Sequence, residues 1–299
     1  MEDLKISVIV PVYNRLEHIR ALFKCILKQE IQPYELIISD DGSSQKIMDY
    51  IGDLLEKTEI KVKYIYQEDK GFRKTRALNN AVKEAEGEIL VFCDQDLFFP
   101  PDYLKKIKLK SRAGEFLMCR AHHTTEEEKN NILKEIEKEE WNYKDILENI
   151  IPKDYPKTLA KMYSEDKRRR ILHKFHLNKR GIKLVGMSYS LRKEDYIKVN
   201  GYDEKFQGWG HEDDDFGNRL CVIGINGREL ETDLIQLHLY HYSDPTKKNS
   251  SINDKYYYER KKKILKKKDF YCEYGYDKSL DDDVVIKNIL KKVMKNEEK

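Results

Sequence analysis

Ile6-Ser7-Val8-Ile9-Val10-Pro11-Val12 is an apolar run of strand length that gives way at once to the polar Tyr13-Asn14-Arg15. Such a run, bounded by turn chemistry, reads as a strand buried on both faces. Helical spacing over Leu16 to Leu27 follows, then a second strand from Leu36 to Ser39 ending at Asp40-Asp41-Gly42-Ser43-Ser44, where Ser43 or Ser44 can cap the next helix. A third strand over Val62 to Tyr66, a helix over Thr75 to Ala85 and a fourth strand over Ile89 to Cys93 continue the alternation. Strands interleaved with helices mark an α/β fold with a parallel sheet and crossover helices.

Pro101 suits the first turn of a helix reaching about Lys110, and Phe116 to Cys119 reads as a fifth strand. From Thr125 to about Arg180 the composition turns to Glu, Lys and Arg with Leu and Ile at helical intervals, predicting two or three helices inserted beside the sheet. Strand character returns at Val185 to Leu191 and Leu234 to Tyr240, with helices over Glu194 to Val199 and Asp213 to Ile223. The expected organisation is one catalytic domain over residues 1–250, with a helical insertion at about 125–180, and a Lys-rich helical tail over 251–299.

With 57 basic and 54 acidic residues the 299-residue chain carries a net charge near +3, so no global field marks a nucleic-acid binder. Five scattered cysteines, with no Cys-x-x-Cys pair, read as buried reduced thiols rather than disulfides or a zinc site. No apolar run is long enough to span a bilayer, and Met-Glu-Asp-Leu-Lys leads straight into the first strand. The expected location is the cytoplasm.

Ligands of open α/β sheets gather beyond the carboxyl ends of the strands, where Asp40, Asp41, Asp94 and Asp96 lie. Asp94-Gln95-Asp96 can share a divalent cation, and hard oxygen ligands suit Mn2+ or Mg2+; a polar loop with Asp96 capping a turn would look similar. Tyr13 offers a flat surface for a base and Asp41 an acceptor for its imide N–H, although a turn with an N-cap shares the pattern. Lys70-Gly71-Phe72-Arg73-Lys74-Thr75-Arg76 places cations at a helix start, as a diphosphate requires, against solvated surface charge as the plainer reading. His238 and His241 close a strand, and His241 in particular can reach a metal held by Asp96.

Gly208-Trp209-Gly210-His211-Glu212-Asp213-Asp214-Asp215-Phe216 sets four consecutive carboxylates beside an indole where a loop becomes a helix. Helix capping accounts for one or two acids at such a place. Four fit a site where one carboxylate takes a proton and others hold substrate hydroxyls.

Taken together, Ile6 to Asn14, Asp40-Asp41-Gly42-Ser43, Asp94-Gln95-Asp96, Asn200-Gly201-Tyr202-Asp203 and Gly208 to Asp215 resemble a family 2 glycosyltransferase of the GT-A fold, over about residues 4–245. The second half resembles the carboxyl-terminal module of the β-1,4-galactosyltransferases and the bacterial chondroitin-polymerase-type transferases. The resemblance implies a Rossmann-like nucleotide-binding sheet and an inverting enzyme that takes a sugar, of Gal, GalNAc, GlcNAc or Glc type, from a UDP-sugar with a divalent cation. It places Pro11, Tyr13, Arg15, Asp41, Arg76, Asp94 and Gln95 at the nucleotide sugar, and Asp96, His241 and His238 at the metal. Trp209, Gly210, Glu212 and Asp214 would bind substrate, and Asp213 would be the base. His211 stands where the family usually has Gly, which bears on the donor sugar.

A saccharide or lipid-linked saccharide acceptor, in surface polysaccharide or lipopolysaccharide assembly, is the expected partner. Lys167-Arg168-Arg169-Arg170 and Arg260 to Lys268 read as solvated helix faces, with weak peripheral contact with anionic lipid at the inner face of the membrane as the alternative. The competing readings are a retaining transferase of similar fold and a non-catalytic sugar-binding module. A nucleotidyltransferase is disfavoured because no Gly-rich basic loop follows the first strand.

Overall fold

The structure, a computed structural model, describes residues 4–230, 234–242 and 252–292. In chain order the first half runs β1 (Ile6–Val12), α1 (Leu16–Leu27), β2 (Glu35–Asp40), α2 (Met48–Glu56), β3 (Lys61–Gln67), α3 (Lys74–Glu84), β4 (Ile89–Cys93), β5 (Leu97–Phe98), α4 (Tyr103–Lys110), β6 (Glu115–Met118) and β7 (Ala121–His123). The insertion supplies three helices, α5 (Glu126–Glu135), α6 (Tyr143–Ile150) and α7 (Tyr155–Lys174). There follow β8 (Ser188–Arg192), α8 (Lys193–Lys198), α9 (Glu212–Val222), β9 (Asn226–Glu229), β10 (Gln236–His238), α10 (Asp254–Lys267) and β11 (Val285–Lys291).

Eight strands form one sheet in the order β11-β3-β2-β1-β4-β8-β6-β9, with β3, β2, β1 and β4 mutually parallel. Alternation along β1 serves both faces of the sheet: Val8 and Val10 pack with Leu22 and Phe23 on one side, Ile9 with Ala81 and Val82 on the other. Burial on both faces is why these strands read as unbroken apolar runs. Because the four run the same way, the loops after β1, β2 and β4 open at one edge. β8 pairs antiparallel to β4, and a small second sheet, β5-β10-β7, sits beyond that edge.

The tail departs from the helical expectation. α10 is a helix, but Val285-Ile286-Lys287-Asn288-Ile289 adds to the sheet as an antiparallel edge strand on β3, with Val285 opposite Gln67 and Ile289 opposite Lys63. Val285 and Leu290 pack partly against the core while Ile286, Lys287, Asn288 and Ile289 stay exposed, as on an edge strand, and the absence of alternation together with the surrounding lysines hides that signal. Nor do Ser43 and Ser44 cap α2, whose N-cap is Ile47 with no side-chain bond. The Ser43 hydroxyl instead accepts from the Asn14 amide at 2.7 Å, and the Ser44 amide donates to the Asn14 side chain at 2.9 Å, joining the loops after β1 and β2.

Candidate active site

Asp96 lies between β4 and the two-residue β5, and the second sheet carries the histidines to it. His238 pairs with Leu97 across β10 and β5, and the Leu239 amide donates to the Asp96 carbonyl at 2.8 Å. The His238 Nε2 faces one Asp96 carboxylate oxygen at 3.3 Å and the His241 Nε2 faces the other at 3.2 Å, while Arg15 approaches at 3.7 Å. Burial opposes charge on Asp96, but His238, His241 and Arg15 outweigh it and hold its carboxyl below the usual range.

A divalent cation fits these residues. One carboxylate oxygen of Asp96 is buried with no hydrogen-bond donor, and one donor atom from each of Asp96, His238 and His241 falls within 4.8 Å of the others. The His241 Nδ1 is 2.8 Å from the Tyr242 carbonyl, a contact that takes the ring proton there and leaves Nε2 a lone pair toward Asp96. Sequence reasoning missed His18, which lies buried between the carbonyls of Arg15 and Tyr240 and ties the loop after β1 to the strand end that carries His241.

The loop after β1 is held in an unusual shape. Asn14 and Arg15 both have φ of +51°, a left-handed conformation that non-glycine residues adopt at a cost and that concentrates at functional sites. Gln95 fixes the loop from β4: its Oε1 accepts from the Tyr13 amide at 2.9 Å and its Nε2 donates to the Asn14 carbonyl at 3.0 Å. Pro11, half-buried, is the penultimate residue of β1, and the exposed Tyr13 ring donates through its hydroxyl to Asp69 at 2.9 Å. Asp41 accepts from the Arg73 amide and the Gln67 side chain, both at 2.6 Å, yet burial still pushes its carboxyl up to about 6. Gly42, at φ +93°, is so close to the Asp69 backbone that a Cβ would collide with it.

The basic segment that leads into α3, Lys70 to Arg76, divides in an unforeseen way. Arg76, expected near the nucleotide, is buried and donates to the carbonyls of Asp283 at 2.9 Å and Asp281 at 3.4 Å in the tail. Lys70 and Arg73 pair with the Asp283 carboxylate, each at 2.6 Å. Three of these cations therefore anchor the acidic segment that leads into β11. Lys74 goes the other way, to Asp94 at 2.6 Å. Burial opposes the charge on Lys74, but Asp94, then Asp213 and Glu212, outweigh it and raise its pKa. Burial likewise raises Asp94.

The four acids at the start of α9 have four different surroundings. Gly208 (φ +78°), Gly210 (φ +116°) and His211 (φ +73°) turn the chain into the helix, and Trp209 sits partly exposed on that turn. Glu212 is buried and accepts from the Gly210 amide at 3.0 Å; burial, then the adjacent Asp213, pushes its carboxyl up to about 7. Asp213 accepts from the Tyr202 hydroxyl at 2.9 Å and packs so tightly on Gly186 that a Cβ there would collide with its carboxylate. The Asp94 amide donates to the Met187 carbonyl at 2.9 Å, so the Gly186-Met187 step brings the ends of β4 and α9 together.

Asp214, expected to hold substrate, is bonded within the protein by Arg180 at 2.6 Å and by the Tyr257 hydroxyl. Despite burial, Tyr257 and Arg180 hold its carboxyl near 2. Asp215 pairs with Arg219 at 2.6 Å, both fully buried, and Arg219 also donates to the carbonyls of Val199 and Gly201 at 2.7 Å. This pair is structural. Arg219→Met is expected to cost about 3 kcal/mol of stability by leaving Asp215 charged and unpaired. Urea unfolding measures it, and an unchanged midpoint would show that the pair contributes nothing. His211, whose identity bears on the donor, stacks on Tyr257 at 4.1 Å and bonds Asp254 of α10 at 2.7 Å.

The profile of glycosyl transferase family 2 matches residues 7–184, more than half of the chain. The chain belongs to glycosyl transferase family 2. A second profile, the N-terminal domain of galactosyltransferase, matches residues 166–242, the part that carries the Trp-acid turn and both histidines. Validoxylamine A glucosyltransferase of Streptomyces hygroscopicus is 26% identical over 242 residues, spanning 74% of this chain and 52% of the relative. Chondroitin synthase of Escherichia coli is 23% identical over 256 residues, spanning 82% of this chain and 36% of the relative. This family 2 chain thus spans about half the length, or less, of those curated relatives. A solved structure of GalNAc-T7 with UDP, GalNAc and Mn2+ superposes with TM-score 0.54 at 14% identity, covering 88% of this chain and 50% of the other, which shows the shared fold. The chain carries the GT-A fold of that family.

Proposed function

We propose that this transferase moves a sugar from a UDP-sugar to a hydroxyl of a saccharide acceptor, with inversion at the anomeric carbon and with Mn2+ or Mg2+ held by Asp96, His241 and His238. The observation that carries this reading is the meeting of a cluster of buried Asp96 with half-buried His238 and His241 and a second acidic group, Asp94, Glu212 and Asp213, gathered around Lys74. UDP and Mn2+ occur together in the GalNAc-T7 structure, and the galactosyltransferase profile covers the turn that supplies the acids.

On this reading Tyr13 and Asp41 receive the base, and Asp94 the ribose or donor sugar with Lys74 balancing its charge. Gln95 holds the loop that presents Tyr13. Trp209 walls the sugar site, and Glu212, with its raised pKa, exchanges hydrogen bonds with sugar hydroxyls. Asp213 accepts the proton of the acceptor hydroxyl as that oxygen attacks the anomeric carbon from the face opposite the departing diphosphate. A bound cation would supply positive charge where the diphosphate gains negative charge. Tyr202 and Gly186 keep the Asp213 carboxylate in place for that transfer.

A panel of UDP-sugars incubated with the full chain and Mn2+ tests this. One donor is expected to release UDP slowly without acceptor and faster with one, giving a product of inverted anomeric configuration. No release from any donor would favour a sugar-binding module, and a retained configuration would favour the retaining alternative. Among the described residues no helix is long and apolar enough to cross a membrane. Assembly of a surface polysaccharide or lipopolysaccharide in the cytoplasm, with weak membrane contact, is the setting proposed for the acceptor.

A further inference from the structure

We propose that Arg180, Lys183 and Lys261 form an acceptor subsite for an anionic oxyacid group, a uronate carboxylate or a phosphate, next to the catalytic acids. This rests on the transferase reading above. The three cations converge on one carboxylate, Asp214: Arg180 at 2.6 Å, Lys261 at 3.5 Å and Lys183 at 3.6 Å. Arg180 and the Tyr257 hydroxyl already satisfy Asp214 and hold it ionised. A fixed anion needs one cation for balance, not three. Lys183 stands 3.6 Å from Asp214 with its side chain 51% exposed, and Lys261, 31% exposed, reaches Asp214 at 3.5 Å while donating to the neutral Tyr257 hydroxyl at 2.6 Å, so the cluster carries more positive charge than Asp214 balances and presents it to solvent.

The cluster also lies where an acceptor must pass. Lys183 is three residues before Gly186, which packs on Asp213, so a chain of that length keeps their Cα atoms within about 11 Å. Lys261 approaches from α10, one turn beyond Tyr257, whose ring stacks on His211 at the start of α9. The exposed Tyr258 ring stands 6.0 Å from His211. Cations beside aromatic faces suit an acidic sugar: rings stack on apolar sugar faces while ammonium groups take the anion.

The test uses the full chain with Mn2+ and UDP and measures dissociation constants for three probes: a disaccharide ending in glucuronate, the same disaccharide ending in glucose, and its glucose 6-phosphate form. An acidic probe is expected to bind about tenfold tighter than the neutral one, with the preference shrinking as salt rises. Whichever acid is favoured tells carboxylate from phosphate. The double variant Lys183→Gln/Lys261→Gln should lose the preference while its UDP affinity stays unchanged; both lysines are surface-reaching, whereas Arg180 supports the buried Asp214. Equal binding of acidic and neutral probes to the wild type, or a preference that survives in the double variant, overturns the subsite. Failure of the wild type to bind UDP with Mn2+ would instead overturn the nucleotide-sugar reading.

Discussion

Asp213→Asn is expected to slow sugar transfer by roughly 10²–10⁴-fold, the usual worth of a positioned general base, while UDP affinity stays within about twofold. Asn keeps the size of the side chain and an oxygen to accept from Tyr202, so the packing against Gly186 survives and only the proton acceptor is lost. The same change should raise stability in alkaline solution. Burial and the neighbouring Asp213 charge lift the Glu212 carboxyl to about 7, so its folded-state pKa lies above its unfolded one. The native state then holds a proton that the unfolded chain releases. Wild-type stability consequently falls as pH rises from the ordinary carboxylate range to about 7, and stays lower above it. Removing the Asp213 charge lessens that penalty, so the variant should melt higher than wild type at pH 8, with the gap closing near pH 4. Turnover retained at wild-type rate would remove Asp213 from the base role, and an equal melting temperature at pH 8 would show that the two carboxylates do not interact.

How much of this was visible in the chain depends on how local each signal is. β1, β2 and β4 declare themselves because burial on both faces writes a continuous apolar stretch, and the acids at their ends follow from topology. β10 falls inside the strand expected over Leu234 to Tyr240, but β5 and β7 are only two and three residues long, too short for any periodicity, and it is the pairing with β5 that brings His238 to Asp96. The crowd of acids at Glu212 to Asp215 was legible, but not its division of labour. The Asp215–Arg219 pair has the i, i+4 spacing that sequence can show. The partners of Asp214 come instead from Arg180 and Tyr257, far off in either direction, and only the folded chain names them. The tail partners of Arg76 were hidden for a similar reason: a cation near a strand end shows its charge in the sequence, but not the Asp281 and Asp283 carbonyls that the tail brings to it.

Asp96→Ala should reduce Mn2+-stimulated transfer by on the order of 10³-fold, because a cation opposite a departing diphosphate is worth several kcal/mol in the transition state. His241→Ala should follow closely, and His238→Ala should cost less if its ring only completes the set. The loss must show as weaker Mn2+ binding, measured by calorimetry with UDP present, and not as unfolding. One Asp96 oxygen makes no hydrogen bond but faces the His238 ring nitrogen at 3.3 Å, and the other faces the His241 ring nitrogen at 3.2 Å and Arg15 at 3.7 Å, so the alanine variant forfeits these charge contacts and no hydrogen-bonded network of the core. Its metal-free melting temperature should therefore fall only modestly at neutral pH, because His238, His241 and Arg15 favour the ionised Asp96 more than burial disfavours it and the variant gives up that difference while staying folded. Chelating the wild type should bring its rate down to that of the variant, and adding Mn2+ back should restore one and not the other. A variant that Mn2+ still stimulates to the wild-type degree, or a wild type indifferent to chelation, would mean that Asp96, His238 and His241 meet for some reason other than holding a cation.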